Sequence, residues 1–557
     1  MKKILIGNDA IINGALAAGV SFVSGYPGCP SAEIGDDFAK ILARRSLGEG
    51  GASVYVEWST NEKTALEAAI GASFSGLKSM VNMKSFGINV CADSLLPLAY
   101  TGTKAGMVIV VADDPSCWSS AQSEQNSRGY AYLSHIPVLE PADPQECYDF
   151  TKLAFEMSEK FNIPVILRTT TRVNHQKMPV VFEEQPKGKE FKKGEFIKNP
   201  HQFSTMPPRT MEMKKELLEK IVKIKKFEEE TKINLVTGNK KAKIGIITSG
   251  ISYLHVQEAL EFLGLDFPVL KLGFFYPLPD AKIKNFIKGL KKVLVVEELD
   301  GYLEREITGL AKDANPKIEI FGKKVLPEIG ELNAEKIVLA LGKITGKKIV
   351  AFKNKKIDLP KRTARLCEGC PYWYVFPTLK RVLPDAIWAG DIGCNMIAGL
   401  APHNMQDTLF SMGASLGVAH GISKATNPAF AEASAGRQKV VAIMGDATFF
   451  HSGISALVNT VYNKSNPLFV ILDNRITAMT GHQTNPGVGK TLMGDVTEEL
   501  KIEEIAKACG VKNIKVLDPI NIKELEEVIK EFSEKDEVSL IICKRICALL
   551  ERRQKSK

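Results

Sequence analysis

The stretch Lys439–Thr477, KVVAIMGDATFFHSGISALVNTVYNKSNPLFVILDNRIT, constrains the fold more than any other in the chain. An apolar run, Val440 to Met444, ends in Gly445-Asp446. A segment of helical length follows, and a second apolar run, Pro467 to Leu472, ends in Asp473-Asn474. Short apolar runs bounded by turn residues and separated by a helix read as parallel strands of an α/β sheet buried on both faces. Ligands of such sheets bind beyond the carboxyl ends of the strands, so Asp446 and Asn474 are expected to face one crevice. A carboxylate with an amide oxygen suits Mg²⁺, an ion that also takes phosphate oxygens. A lone Gly-Asp is more commonly a polar turn; the second strand ending in Asn, 28 residues on, argues for the site.

The same alternation recurs along the chain, which predicts a multidomain α/β protein of parallel sheets with helices on both faces. It runs through SFVSGYPG, EKTALEAAIGASFSG, GMVIVVADD and NIPVILRTTT over residues 1–180. After a charged linker with one helix (181–240), it resumes in KIGIITSG and KKVLVVEELDG (241–350) and again over 351–557. A chain of 557 residues is too long for one core. Of the net charge of +9, much lies between Lys187 and Lys243 and in ERRQKSK; lysines there alternate with glutamates and lack aromatics, so a solvated helix is expected and not a nucleic-acid face. No apolar run approaches the ~20 residues of a membrane span, and the N-terminus lacks the pattern of a secretory signal. A cytoplasmic protein is therefore expected. The ten cysteines are scattered and do not form a disulfide framework.

The Gly445-Asp446 and Asn474 pair resembles the thiamine-diphosphate motif, with Ala447 in place of its second glycine. That resemblance implies Mg²⁺ held by Asp446, Asn474 and the carbonyl of Ile476. Thiamine enzymes also use a glutamate at the aminopyrimidine N1′, where a raised carboxyl pKa in an apolar pocket is needed. In NEKTALEAAIGASFSG, Glu62 with Gly71 nine positions later is similar to that element; Glu57 and Glu67 are nearby alternatives. More widely, SGYPGCPSAEI, VVADDPS, EQNSRGYA, IPVLEPADPQE, LRTTTRV, VEELDG, MGASLGVAHGI and GDATFFHSGI resemble the large subunit of indolepyruvate:ferredoxin oxidoreductase over nearly the whole chain. The resemblance implies oxidative decarboxylation of an aryl 2-oxoacid to acyl-CoA and CO2. It also implies coenzyme A, a small partner subunit, ferredoxin as acceptor and a homodimer of large subunits. It places Asp391, Gly393, Gly413 and Ser415 near the diphosphate. His451 and His482 become candidates for acid–base or diphosphate contacts, against the ordinary reading of a structural histidine.

The resemblance gives the cysteines a use as well. Cys367 and Cys370 fit the first pair of ligands to a 4Fe–4S cluster, Cys394 the third, and Cys547 the fourth in preference to Cys543, which continues an apolar strand. Four thiolates also suit structural zinc. The thiamine motifs favour the cluster, because electrons from the decarboxylated intermediate need an acceptor. The family's C-terminal ferredoxin-like module is absent from the sequence to Lys557, so the onward acceptor is expected on another polypeptide. On the substrate side Cys29, Ser85 and Trp118 stand where relatives carry Thr, His and His, and Trp373 replaces a basic residue. A non-oxidative thiamine enzyme with zinc, or a thiamine-binding subunit without catalysis, is the alternative.

Overall fold

The run Met107–Asp113, MVIVVAD, is buried at every position, as a central parallel strand covered on both faces must be. The structure is a computed structural model describing residues 1–46, 54–183, 193–347, 360, 363–426 and 438–556; parts of the expected linker (184–192) and of the start of the last domain (351–359, 361–362) lie outside them. The chain divides into two units, Met1–Lys355 and Lys356–Lys557.

In the first unit, a seven-stranded sheet runs Phe274–Tyr276, Val138–Leu139, Val165–Thr170, Met107–Asp113, Ser79–Lys84, Phe22–Gly25, Tyr55–Trp58. Its pairs are parallel except for the first. The chain leaves Phe22–Gly25 for Tyr55–Trp58 on one side and returns to Ser79–Lys84 on the other, so the winding reverses between Phe22–Gly25 and Ser79–Lys84. Small residues let helix Glu62–Phe74 lie close to this sheet, with Ala65 and Ala69 fully buried and Asn61 capping its start by accepting from Thr64 N at 2.8 Å. A five-stranded sheet is built from Glu319–Phe321, Lys292–Val296, Ile244–Ser249, Val269–Leu272 and Leu235–Thr237. Strand Phe274–Tyr276 follows Val269–Leu272 after one glycine, yet joins the seven-stranded sheet. Within the charged stretch, Arg209–Glu230 is helical and buries Met213, Leu217 and Ile224 along one stripe.

Five of the motifs that carried the family resemblance meet in one buried ionic network. Arg128 of EQNSRGYA donates to Glu140 of IPVLEPADPQE at 2.7 and 2.6 Å, to Glu297 of VEELDG at 2.7 Å and to Ser249 at 2.7 Å. Arg168 of LRTTTRV donates to Asp113 of VVADDPS at 2.8 Å and to Glu140 at 2.9 Å. Despite burial, the two guanidiniums hold the Glu140 carboxyl down at about 2. Glu298, beside the network, is pushed up to about 7 by burial. A carboxyl raised from 4.5 contributes stability that is complete below pH 4.5 and is lost as pH rises through 7. Glu298→Gln is therefore expected to flatten the fall in unfolding free energy between pH 5 and 7, about 2–3 kcal/mol, in urea titrations across that range.

The second unit holds a five-stranded parallel sheet, Ile387–Ala389, Val440–Gly445, Leu468–Asp473, Ser539–Lys544, Asn513–Leu517. Alternate residues feed two cores: Val441, Ile443, Val470 and Ile541 on one face, Ala442, Met444, Phe469 and Ile542 on the other.

Candidate active site

Both units carry expected site residues, and each set forms at the carboxyl end of a parallel sheet. In the second unit the register aligns Gly445 with Leu472, so Asp446 and Asp473-Asn474 leave adjacent strands side by side. Asp446 is buried and accepts from Asn485 Nδ2 at 3.0 Å. Burial, and then the Asp473 carboxylate, push the Asp446 carboxyl up. Asn474 donates from Nδ2 to the Tyr372 hydroxyl at 2.8 Å, and that hydroxyl donates to Leu472 O at 3.3 Å. The side-chain amide of Asn474 is thereby oriented, and its Oδ1 accepts from Ile476 N at 3.2 Å.

Asp391 is fully buried, accepting from Ile392 N and Gly413 N at 2.8 Å through Oδ1 and from Ser415 N at 2.9 Å through Oδ2. The amides of Gly413 and Ser415 are thus engaged by the carboxylate, which shapes the turn into helix Ala414–Thr426. Gly413 has φ +89°, and a Cβ there would lie 2.2 Å from Ser452 Oγ, so the turn requires glycine. Gly393, at φ +132°, opens the short turn Cys394–Gly399. A π-helical turn, Phe449–Gly453, follows Asp446 and buries His451. Ser452 Oγ donates to Met412 O at 2.7 Å, so His451 Nδ1, 2.8 Å from that oxygen, is the donor to it.

His482 lies apart from that group. Its Nδ1 faces Arg553 Nη1 at 3.3 Å, and a guanidinium only donates, so Nε2 carries the proton and points to Cys547 Sγ at 3.6 Å. Burial and Arg553 push its pKa down. Cys547 precedes helix Ala548–Lys555, whose Arg552 donates to Glu368 O at 3.3 Å in the Cys367–Cys370 turn. Burial raises the Cys394 thiol to about 12 and Cys370 to about 11, with Cys547 and Cys367 adding to both and Cys370 adding to Cys394. Cys370 N donates to Cys367 O at 3.1 Å, Cys370 and Cys394 pack against one core, and Cys547 N donates to Asn474 O at 3.0 Å, whereas Cys543 is buried in the strand Ser539–Lys544. Among the described residues, no three Cys, His, Asp or Glu side chains are already grouped to hold a metal ion.

In the first unit Glu62 is the first residue of its helix and is 8% exposed. Gly87 makes room for it, since a Cβ there would lie 2.6 Å from Glu62 Cγ. Of the alternatives, Glu67 is exposed and accepts from Ser94 Oγ at 2.6 Å, and Glu57 accepts from Tyr55 and Ser59 hydroxyls at 2.9 and 2.6 Å. Cys29 is half-buried in the turn after Phe22–Gly25, Ser85 is buried directly after Ser79–Lys84, and Trp118 is 67% exposed on a loop with Ser116 and Cys117 at φ +68° and +52°. Tyr372 and Lys84, which adjoin these groups, were not expected from the sequence. Tyr372 lies two residues after the cysteine pair, but nothing in the sequence links it to Asn474.

A Gly-Asp and an Asn ending adjacent parallel strands in the second unit, and a buried helix-initial glutamate in the first, are the elements expected of a thiamine-diphosphate enzyme, and comparison with known proteins shows that class. The family model described as thiamine pyrophosphate enzyme, C-terminal TPP binding domain matches residues 391–543; pyruvate flavodoxin/ferredoxin oxidoreductase, thiamine diP-binding, matches 13–236; and indolepyruvate oxidoreductase domain matches 234–358. Indolepyruvate oxidoreductase subunit IorA of Pyrococcus abyssi is 43% identical over 98% of this chain and 86% of its own length, and that of Methanothermobacter thermautotrophicus is 41% identical over 98% and 87%. A solved 2-oxoglutarate:ferredoxin oxidoreductase from Magnetococcus marinus superposes with a TM-score of 0.48 at 20% identity, covering 61% of this chain and 65% of that one. The chain belongs to the IorA family of thiamine-diphosphate-dependent 2-oxoacid:ferredoxin oxidoreductase subunits.

Proposed function

We propose that the chain oxidatively decarboxylates an aryl 2-oxoacid to acyl-CoA and CO2, passing electrons through a 4Fe–4S cluster to ferredoxin. It works in a homodimer of large subunits joined by a small partner subunit. The observation that carries this reading is Tyr372. Its hydroxyl holds the Asn474 amide, and its own pKa is pushed up by burial first, then by Asp446, Cys394 and Cys370. Tyr372 lies two residues after Cys370 and Cys547 N donates to Asn474 O at 3.0 Å, so Asn474 is tied to the segments that carry two of the four cysteines.

The donor types of these residues suit the groups assigned to them. Asp446 is a buried carboxyl whose surroundings disfavour its charge, the state expected where a cation is the natural partner. With the Asn474 amide oxygen and the Ile476 carbonyl it would supply hard-oxygen donors of the kind Mg²⁺ takes. Four cysteines are the number of thiolates a cubane cluster takes. Bound thiamine diphosphate supplies the carbanion chemistry that loss of CO2 from a 2-oxoacid requires. Glu62 would hold a proton toward the cofactor's aminopyrimidine, and Asp446, Asn474 and the Ile476 carbonyl would hold the ion. Asp391 keeps the 413–415 turn in shape for the same group. Cys367, Cys370, Cys394 and Cys547 would hold the cluster, and the His482 Nε2–H donates toward Cys547.

Tyr372→Phe removes the hydrogen bond that orients Asn474. A loss of about 1 kcal/mol, roughly fivefold weaker binding of Mg²⁺–thiamine diphosphate by titration calorimetry, is expected. The reading is tested by purification without air. About four irons and four sulfides per chain with a broad brown absorbance support it, and a colourless protein carrying only zinc overturns the electron path.

A further inference from the structure

Among the charged groups of the first unit, Lys84 stands out by position and by what surrounds it. It ends the strand Ser79–Lys84, whose neighbour is Phe22–Gly25, and the winding of the seven-stranded sheet reverses between these two. In an open α/β sheet a ligand lies beyond the carboxyl ends of the strands at that reversal. The YPGCP turn leaves Phe22–Gly25 at the same edge and packs on the lysine, for a Cβ on Gly28 would lie 2.8 Å from Lys84 Cβ.

The ammonium is buried, with the side chain 11% exposed, and donates to Ser119 O at 2.8 Å. Its nearest carboxylate oxygen is Asp114 Oδ2 at 3.9 Å, beyond hydrogen-bond reach. Asp114 is already satisfied: Oδ2 accepts from Ser119 N at 2.8 Å, Ser119 Oγ at 3.2 Å and Ser120 Oγ at 2.6 Å, and Oδ1 from Thr171 Oγ1 at 2.6 Å. The Phe86 ring lies 5.2 Å from Nζ, and the field of the lysine reaches the Cys29 and Cys117 thiols. An ammonium with three protons, one hydrogen bond and a counter-ion held off at 3.9 Å, whose oxygens are taken by other donors, is under-satisfied in a mostly buried place and gains if an anion joins it. The groups around it are those expected on the substrate side: Cys29, the adjoining Ser85, and the loop that carries Trp118.

We propose that Lys84 binds the carboxylate of the 2-oxoacid substrate and so sets the preference for an acid over a neutral carbonyl compound. This rests on the 2-oxoacid reading above. The pairing acts when the acid binds. It is lost with CO2, so it stabilises the bound substrate at least as much as the transition state and shows in KM more than in kcat.

The test uses the complete oxidoreductase with its partner subunit. Lys84→Met is expected to raise KM for an aryl 2-oxoacid about tenfold or more, with kcat within about threefold and thiamine diphosphate affinity unchanged; Lys84→Arg recovers most of the loss. An arylpropionate should inhibit the wild-type enzyme about tenfold more strongly than its amide, a preference that Lys84→Met abolishes. An unchanged KM, or an acid preference that survives in Lys84→Met, overturns the assignment. So does a loss of thiamine diphosphate binding in both variants, which marks a structural lysine. If Lys84→Met does not fold, a wild-type enzyme that is inhibited equally by acid and amide still overturns it. A wild-type enzyme that turns over no 2-oxoacid refutes the functional reading instead.

Discussion

Replacing Arg128 with methionine is expected to cost the first unit about 3–5 kcal/mol of stability, the size seen when one partner of a buried charge group is removed. The loss has a definite origin. Glu140 and Glu297 are both 1% exposed and both take the Arg128 guanidinium at 2.6–2.7 Å, so its removal leaves two buried carboxylates with fewer partners. Glu140 retains Arg168 at 2.9 Å, whereas Glu297 keeps the backbone amides of Leu303 and Glu304, each at 2.9 Å. Denaturant titration should show the loss, and Arg128→Lys should not restore it, because an ammonium lacks the fork that engages Glu140 through two nitrogens. A change under about 1 kcal/mol would mean that water relieves these charges.

Glu62→Gln is expected to lower turnover by about 10²–10⁴-fold, the range of a positioned acid–base group, with the fold intact. The substituted amide keeps the shape of the side chain and, being uncharged, cannot serve as the carboxylate end of a proton exchange. Far-ultraviolet circular dichroism and thiamine diphosphate binding should change little, which separates a chemical role from a structural one. Gly87→Ala approaches the same carboxyl from the other side, its new methyl 2.6 Å from Glu62 Cγ, and should lower turnover by displacing it.

The strands were legible because their cause is local. Val440–Met444 and Pro467–Leu472 read as strands from apolar runs between turn residues, and they form Val440–Gly445 and Leu468–Asp473 in parallel register. The path of residues 274–276 was not legible: FFY is as apolar as its neighbours, and which sheet edge it joins depends on tertiary pairing. The motifs of the first unit had a different limit. Arg128, Glu140, Arg168 and Glu297 lie in stretches that mark the family, yet they meet in a buried ionic network, so a motif's presence did not tell its role. Tyr372 and Lys84 escaped notice for a related reason. An aromatic residue near a cysteine pair and a lysine at a strand end are ordinary in sequence, and only their surroundings, Asn474 and the saturated Asp114, make them informative.

The most direct test of the central claim is a product and electron balance in the anaerobic enzyme, assembled with its partner subunit and supplied with an aryl 2-oxoacid, coenzyme A and a ferredoxin or viologen. The account predicts one acyl-CoA and one CO2 for every two one-electron acceptors reduced, with no turnover when coenzyme A or the acceptor is withheld. Free aldehyde formed at the same rate without coenzyme A or acceptor would contradict it.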